Sequence, residues 1–176
     1  MVVGFLIRIN QDSSGSNISI NQNPKLVVGI VVDQMRYQYL TKYWDHFSDN
    51  GFKKLIGKGF NAKSNHYGYA QTSTGPGHTT VATGTYPRIH GIIGNSWFDK
   101  KSKKSVYCVD DDNYNTVGSS TSRGKKSPVN LLTSTLSDEN RIATNFKGKT
   151  IGVAIKDRGS ILSSGHTANA AYWFDS

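Results

Sequence analysis

The chain has 176 residues, of which 36% are hydrophobic and 19% are charged, with 21 basic against 12 acidic side chains. This length is enough for one globular domain with a sizeable core, and the composition argues against a largely disordered chain and against a membrane-embedded one. The net charge of +9 favours anionic partners in general but identifies none of them.

The first 24 residues are predicted to form a flexible leader ahead of the folded part of the chain. Residues 8–25 are polar, rich in Ser and Asn, and show no hydrophobic periodicity. The opening stretch, MVVGFLIRIN, has a short apolar patch without a basic start or a small-residue cleavage site, so it is a poor signal peptide. Order is therefore predicted to begin at Lys25.

From Lys25 onward, apolar runs alternate with helical patterns. The run KLVVGIVVD is continuously apolar and β-branched, which predicts a strand that is buried on both faces and ends at Asp33. Helical patterns follow over residues 35–47 and through FKKLIGKG, and a β-like segment then leads to Tyr69. Residues 77–84 are predicted to form a short helix.

The second half of the chain continues this alternation. SWFD and SVYCV are predicted to pair as a hairpin across a lysine-rich loop, and residues 128–145 are predicted to form an amphipathic helix. KTIGVAI and AYWFD are predicted to be further buried strands. This order predicts an α/β fold with helices on both faces of a sheet, and the uncapped aromatic end AYWFDS predicts that the fold is incomplete in this chain.

Four polar features follow predicted strands or adjoin turns: Asp33, the turn around Thr74, the loop at Asn95 and the segment KDRG. Ligands of open α/β sheets bind beyond the carboxyl ends of the strands, so we expect these features to converge there. A carboxylate at the end of an apolar strand needs a partner, which for Asp33 is either a metal ion or the start of the next helix, where Asp is a favoured capping residue.

The stretch TSTGPGHTT, residues 72–80, places small hydroxyl side chains around a Gly-Pro-Gly break where a helix can begin. A helix start offers free N–H groups and a positive dipole end, which favour a phosphate. A threonine hydroxyl there could attack phosphorus only if a base or a metal ion activates it. The alternative is an ordinary Ser/Thr-capped helix.

KDRG contains two cations, Lys156 and Arg158, that are two residues apart after a predicted strand. Residues at this spacing on a strand share one face, so the pair is predicted to grip a doubly charged phosphate while Asp157 points the other way. The alternative is a solvated basic turn.

The excess positive charge lies mostly in DKKSKKS and in Lys125–Lys126, which are interpreted as solvated loops. A basic domain that binds polyanions without catalysis remains the alternative of another class. The single cysteine, Cys108, excludes an internal disulfide and a Cys-based zinc site, and its β-like surroundings predict a buried structural thiol.

Five segments, namely VVDQMRYQYL, GFKKLIGKGF, TSTGPGHTT, TGTYPRIHGIIGNSWFD and AIKDRG, occur in an order and at a spacing that resemble the alkaline phosphatase superfamily. The most similar branch is that of bacterial phosphate-irrepressible alkaline phosphatases, which are related to nucleotide pyrophosphatase/phosphodiesterases. The resemblance covers residues 25–176. It implies a mostly parallel sheet with helices on both faces, and it makes residues 25–176 the amino-terminal part of a catalytic domain.

The resemblance also implies site residues and a cofactor. Family members bind two zinc ions and use a metal-bound threonine as nucleophile, which implies Asp33 and Thr74 as zinc ligands and Thr74 as the nucleophile. Asn95 matches the side-chain donor to a phosphoryl oxygen, and Lys156 and Arg158 match the pair that contacts the phosphoryl group in monoesterases. The implied reaction is hydrolysis of small phosphate monoesters through a phosphothreonine. The histidines gain no role and are interpreted as structural, namely His66, His78, His90 and His166.

The chain departs from the family in length, since the family's other zinc ligands lie beyond residue 176. We therefore expect an amino-terminal fragment that is inactive alone, with periplasmic or secreted location inferred from kinship only. Gln38 stands where relatives often have Asp, a change expected to be tolerated. A phosphodiesterase or a sulfatase-like hydrolase is the alternative within enzymes; neither nucleic acid nor membrane is an expected partner.

Overall fold

The computed structural model describes the backbone of residues 3–9 and the residues 25–116, 118 and 120–174. The chain divides into two compact units, Met1–Ala62 and Lys63–Ser176.

The first unit consists of a strand pair and short helices. Strand β1, Val3–Ile9, pairs antiparallel with strand β2, Leu26–Val32, so that Val3 lies opposite Val32. Helix α1, Gln38–Lys42, is followed by a 3₁₀ helix, Trp44–His46, and by helix α2, Phe52–Lys58.

Two predictions for this unit differ from the structure. The first difference is that part of the predicted flexible leader forms strand β1. Its residues are β-branched and aromatic, so they pair readily with an apolar partner strand. Residues 10–24 of the leader lie outside the described part of the chain. Strand β2 was expected to be buried on both faces, but Leu26, Val27 and Ile30 are more than two-fifths exposed. The pairing with β1 satisfies its backbone without covering its faces.

The second unit begins with two helices and a hairpin. Helix α3, Thr74–Thr83, begins three residues before the predicted short helix and ends one residue before it, and helix α4, Pro87–His90, follows. Strands β3, Ser96–Asp99, and β4, Lys104–Tyr107, form the predicted antiparallel hairpin across the lysine-rich loop. The predicted β-like segment before α3 is not a strand, since the residues between Lys63 and Ser73 form turns and bends.

The unit ends with a strand–helix–strand arrangement. Strand β5, Ile151–Ala154, leads through helix α6, Asp157–Ser164, to strand β6, Ala170–Trp173, and the two strands pair in parallel. Helix α6 packs against both strands and against α3. This is the parallel α/β part of the predicted fold within the described residues.

Helix α5, Leu136–Ala143, is shorter than the predicted amphipathic helix over residues 128–145. Thr135 and Asp138 form a reciprocal capping box that fixes the helix start at Leu136, eight residues after Pro128. The apolar side chains that suggested the longer helix do not form a buried face, since four of them are exposed: Val129, Leu132, Leu136 and Ile142.

The hydrophobic core of the second unit lies between the hairpin and α6. Its fully or nearly fully buried members are Ile92, Cys108, Val109, Leu131, Ile161 and Leu162. Cys108 is a free, buried thiol, as predicted, and burial raises its pKa to about 12, which makes it unreactive.

The outer side of the parallel pair is open. Val153 is 77% exposed and Tyr172 60% exposed, whereas both strands were predicted to be buried. Within the described residues no element covers this face, and apolar composition alone could not reveal that. None of the described helices has the length and apolar character needed to cross a membrane.

Candidate active site

Thr74 is the first residue of α3, and the helix start that follows it is tightly enclosed. Ser73 is the N-cap in extended conformation, and Gly75, Pro76 and Gly77 are buried. Pro76 suits a first helical turn because its missing N–H would have no partner there. The sequence favoured a helix start at this break, and the structure confirms it.

Ser73 does not act as an ordinary Ser/Thr cap of α3, although the sequence left that alternative open. The Ser73 side chain makes no capping hydrogen bond, and its Oγ is buried with no hydrogen-bond partner among the described residues. A side-chain oxygen from another element takes the place of the cap, because the Gly75 N–H donates to Asn95 Oδ1 at 2.7 Å.

This bond between Gly75 and Asn95 has two consequences. It uses one N–H of the helix start, so fewer are left for a phosphate than the sequence suggested. It also fixes the Asn95 amide with Oδ1 as acceptor, which leaves the Nδ2 group as the donor available to a ligand.

Gly75 permits this close approach. A Cβ atom at Gly75 would lie 3.1 Å from Asn95 Oδ1 and 3.4 Å from Cys108 Sγ. The Asn95 carbonyl in turn accepts from the Cys108 N–H at 3.0 Å. The start of α3, the Asn95 loop and the end of the hairpin are therefore held together.

Tyr69, from the segment before α3, forms hydrogen bonds to the first two turns of that helix. The Tyr69 hydroxyl donates to Pro76 O at 3.2 Å and lies 2.7 Å from Thr80 Oγ1. Thr80 Oγ1 also lies 3.2 Å from His90 Nε2. Burial raises the pKa of Tyr69, so its hydroxyl stays protonated. This network was not foreseen, because the sequence showed only a tyrosine-rich run.

The histidines near the site have structural contacts, in line with the prediction. His78 is buried, and its Nδ1 lies 2.9 Å from Thr74 O. The Ile92 N–H donates to His90 Nδ1 at 3.2 Å, so the His90 tautomer with a proton on Nε2 is the one that also bonds to Thr80. Burial lowers the pKa of His90 to about 4, which keeps the ring neutral.

Lys156 and Arg158 do not lie on a strand, so the prediction that they share one face of a strand is wrong. Strand β5 ends at Ala154, Lys156 is the N-cap of α6, and Arg158 is its second residue. The rule that residues two apart share a face of a strand does not apply at a helix start. Lys156 is exposed, whereas the Arg158 side chain is only 19% exposed.

Asp157 was expected to point away from Arg158, and this expectation is wrong. Asp157 Oδ1 lies 4.0 Å from Arg158 Nη1 and accepts from the Arg158 backbone N–H at 2.7 Å. Tyr107 bridges the two side chains: its hydroxyl donates to Asp157 Oδ1 at 2.6 Å and accepts from Arg158 Nη1 at 2.9 Å. Tyr107 was missed because the run SVYCV signals only a strand.

Within the second unit, the structure thus joins three predicted site residues by a chain of contacts. Thr74 adjoins Gly75, which bonds to Asn95; Asn95 bonds to Cys108, whose neighbour Tyr107 bonds to Arg158. Arg158 Nε is buried and has no hydrogen-bond partner among the described residues. A guanidinium N–H without a partner can donate a hydrogen bond to an anionic ligand.

Asp33 belongs to the first unit and directly follows β2. Its side chain accepts from the Gln34 N–H at 2.8 Å, and Gln34 adopts a left-handed backbone with φ of 58°. Asp33 does not cap the following helix, because the N-cap of α1 is Tyr37. The capping alternative is therefore wrong, and Asp33 is an exposed carboxylate in a turn.

The oxygen atoms of Asp33 and Thr74 are of a kind that zinc accepts, but a zinc site requires more ligands. In the part of the chain that the structure describes, no group of three or more His, Cys, Asp or Glu side chains is placed to hold a metal ion. Each residue by itself therefore fits zinc only as one member of a larger ligand set.

A profile of the family described as type I phosphodiesterase / nucleotide pyrophosphatase matches residues 27–176. The chain belongs to this family. The chain has an incomplete, alkaline-phosphatase-like α/β fold.

Three similar proteins show how much of a relative's length this chain spans. Alkaline phosphatase PhoV of Synechococcus elongatus is 53% identical over 86% of the chain. A Myroides odoratus protein named calcium-transporting ATPase is 50% identical over 88% of it. Alkaline phosphatase PafA of Elizabethkingia meningoseptica is 48% identical over 86% of it. The chain spans 28% of the length of each of these relatives.

The crystal structure of wild-type PafA matches the fold with a TM-score of 0.79, at 45% identity over 81% of this chain and 28% of that one. A second PafA structure, with a TM-score of 0.79 at 43% identity, is of a mutant with a threonine, an asparagine, a lysine and an arginine replaced. Its lysine and arginine are separated by a single residue.

Proposed function

We propose that this chain forms the amino-terminal part of the catalytic domain of a phosphate monoester hydrolase, an alkaline phosphatase. The observation that supports this most is the contact chain from the Thr74 helix start through Asn95 and Tyr107 to Arg158. It connects residues that carry a hydroxyl, an amide donor and a guanidinium, groups that suit a phosphoryl ligand. The PafA variant, replaced at the same four residue types in the same order, adds support.

The proposed reaction has two displacements at phosphorus. In the first, Thr74 Oγ1 attacks phosphorus and the bond from phosphorus to the ester oxygen breaks; the leaving oxygen departs as the alcohol with the proton that the Thr74 hydroxyl loses, and Thr74 becomes phosphothreonine. In the second, water attacks the phosphothreonine and the phosphorus–oxygen bond to Thr74 breaks; a proton of the water returns to Thr74 Oγ1, and inorganic phosphate is released.

Three donors are proposed to stabilise the charge of the phosphoryl oxygens during both steps. Asn95 Nδ2 is the donor that remains, because Oδ1 accepts from the Gly75 N–H. Arg158 has a buried Nε without a partner among the described residues. Lys156 is exposed at the start of α6 and adds a second positive charge. A terminal phosphate has one more free oxygen than a diester, so three donors favour monoesters over diesters.

We propose zinc as the cofactor, with Thr74 Oγ1 and Asp33 as the ligands that this chain contributes, and the family's remaining ligands supplied by further polypeptide. When bound, zinc would supply Lewis acidity that favours the ionised form of the Thr74 hydroxyl and stabilises the leaving oxygen. Because the described residues contain no cluster of three metal-binding side chains, we propose that residues 1–176 are inactive alone.

The proposed substrates are small phosphorylated molecules, and periplasmic or secreted location is proposed by kinship with the bacterial alkaline phosphatases. A polyanion-binding domain is less favoured, because the paired lysines are partly neutralised. Lys126 pairs with Asp110, and Lys125 lies 3.9 Å from Asp112. The hairpin lysines lie in a turn held by Asp99, which accepts from the Ser102 N–H at 2.8 Å.

A chimera tests the proposal, with residues 25–176 replacing the matching part of PafA, of which they would form about a quarter. We expect zinc-dependent turnover of p-nitrophenyl phosphate. Lys156→Ala and Arg158→Ala should each lower kcat/KM for this monoester by on the order of 10- to 1000-fold, since each removes a charged donor, and should lower hydrolysis of bis-p-nitrophenyl phosphate much less.

Lys147→Ala, at an exposed lysine away from the contact chain, is the matched control and should leave both rates unchanged. p-Nitrophenyl sulfate separates a sulfatase from a phosphatase. A chimera with no monoesterase activity, or one that prefers the diester or the sulfate, would contradict the proposal. Robust turnover by residues 1–176 alone would refute the claim that they are inactive by themselves.

A further inference from the structure

Tyr107 and Asp157 form a bridge to the Arg158 guanidinium. Tyr107 is the last residue of β4, and Arg158 lies 51 residues later in α6. A tyrosine hydroxyl has one proton to donate and lone pairs that accept. Carboxylates accept and guanidinium groups donate, so the Tyr107 hydroxyl donates to Asp157 and accepts from Arg158, at 2.6 Å and 2.9 Å.

The bridge restricts the Arg158 guanidinium in two ways. Nη1 is held by the hydroxyl, and Cζ lies 5.9 Å from the centroid of the Tyr107 ring. A guanidinium is planar, so a fixed Nη1 and a fixed ring contact together limit the direction of its remaining N–H groups. One of them, on Nε, is buried and has no partner among the described residues.

A buried charged donor without a partner costs free energy, which an anionic ligand would offset on binding. Because the guanidinium is already oriented, less entropy would be lost in ordering this side chain when the ligand binds. The hydroxyl can keep this role in alkaline solution, because burial raises the pKa of Tyr107 to about 12.

The bridge is also continuous with the rest of the candidate site. The residue after Tyr107 is Cys108, whose N–H donates to Asn95 O, and Asn95 Oδ1 accepts from the helix start beside Thr74. A shift at the end of β4 would therefore move Arg158 and Asn95 together.

We infer that Tyr107, with Asp157, is a positioning residue that orients the Arg158 guanidinium toward the phosphoryl group. This inference rests on the proposed function, in which Arg158 contacts that group. The competing explanation is that Tyr107 only fills space, since its ring packs against the core of the second unit. Tyr107→Phe keeps the ring and removes the hydroxyl, so it separates the two explanations.

The kinetic test uses the chimera. Tyr107→Phe should lower kcat/KM for p-nitrophenyl phosphate by on the order of 10-fold or more, as expected for loss of a hydrogen bond to a charged group. In an Arg158→Ala background the same substitution should have no further effect, because a positioning residue acts only through the group it positions. A space-filling role predicts equal effects in both backgrounds, and that result would overturn the inference.

The second test needs no activity and uses residues 1–176. In an NMR spectrum of ¹⁵N-arginine-labelled chain, the Arg158 side-chain N–H signals should be slowly exchanging, and Tyr107→Phe should broaden or average them. Tyr114→Phe, at an exposed tyrosine, is the control and should leave them unchanged. Unchanged Arg158 signals in Tyr107→Phe would overturn the inference. If the signals change but Arg158→Ala retains full turnover, the proposed function fails while the positioning stands.

Discussion

At the scale of single residues, His90 shows how a buried side chain organises the helix that begins at Thr74. The ring is fully buried, accepts from the Ile92 N–H and bonds through Nε2 to Thr80. Thr80 lies 2.7 Å from the Tyr69 hydroxyl, which donates to Pro76 O. These bonds require the neutral ring, because a protonated Nδ1 could not accept from Ile92.

His90 should make the folded chain less stable as the pH falls. Burial lowers the pKa of His90 to about 4, below the value of 6.5 for an unperturbed histidine. The unfolded chain therefore takes up this proton first as the pH falls. The stabilising contribution is complete above pH 6.5 and is lost between pH 6.5 and 4, by roughly 3 kcal/mol.

Urea denaturation of residues 1–176 at pH 7 and pH 4.5 measures this loss. His90→Asn keeps an acceptor for the Ile92 N–H but does not titrate, so its stability should depend less on pH over this range. His166→Asn, at an exposed histidine, is the control and should behave like the unchanged chain. An identical pH dependence in His90→Asn would show that His90 is not the group responsible.

At the scale of elements, Asp138 connects helix α5 to the segment that enters β6. One carboxylate oxygen accepts from the Thr135 N–H at 2.9 Å and from the Thr135 hydroxyl at 3.0 Å. The other accepts from the Thr167 N–H at 2.7 Å and from its hydroxyl at 2.8 Å. Burial raises the pKa of Asp138, but these hydrogen bonds together outweigh it and leave the pKa below its usual value.

Asp138→Ala should therefore destabilise the second unit by about 3 kcal/mol, because it removes a capping box and leaves buried N–H groups without acceptors. Glu139→Ala, at the next and exposed position of the same helix, should cost less than about 0.5 kcal/mol. Chemical denaturation of residues 1–176 carrying each substitution gives both values. Equal effects at the two positions would contradict this role for Asp138.

Local sequence patterns predicted the elements better than their lengths or burial. The β3–β4 hairpin, α2, β5 and β6 were confirmed, because each has a strong local signal. The length of α5 was wrong, because the capping box at Thr135 outweighed the apolar spacing before it. The predicted burial of β2, β5 and β6 was wrong, because composition does not specify which neighbours cover a strand.

Only those parts of the candidate site that have a local sequence motif could be predicted from the sequence. The helix start at Thr74 follows from its Gly-Pro-Gly break, and the fold from the family resemblance. The roles of Asp33, Thr74, Asn95, Lys156 and Arg158 stay predictions. The bridge by Tyr107 could not be predicted, since it joins residues 50 and 51 positions apart that only tertiary structure brings together.

At the scale of the whole molecule, this chain is proposed to supply most of the phosphoryl-binding residues but few of the metal ligands. Its second unit holds the proposed nucleophile and phosphoryl donors, whereas the described residues contain too few clustered ligands for a metal centre. The chain spans 28% of the length of the relatives it matches. We therefore expect phosphoryl recognition to depend on this segment and zinc binding to depend largely on the remainder of the domain.

The central claim is that the Thr74 hydroxyl is the nucleophile. The most direct measurement is to quench the chimera in acid during turnover of p-nitrophenyl phosphate and to locate phosphate in the peptide of residues 64–88 by mass spectrometry. We expect phosphate on Thr74, and none in a Thr74→Ala variant, whose turnover should be abolished. Phosphate on a different residue, or full turnover by Thr74→Ala, would contradict it.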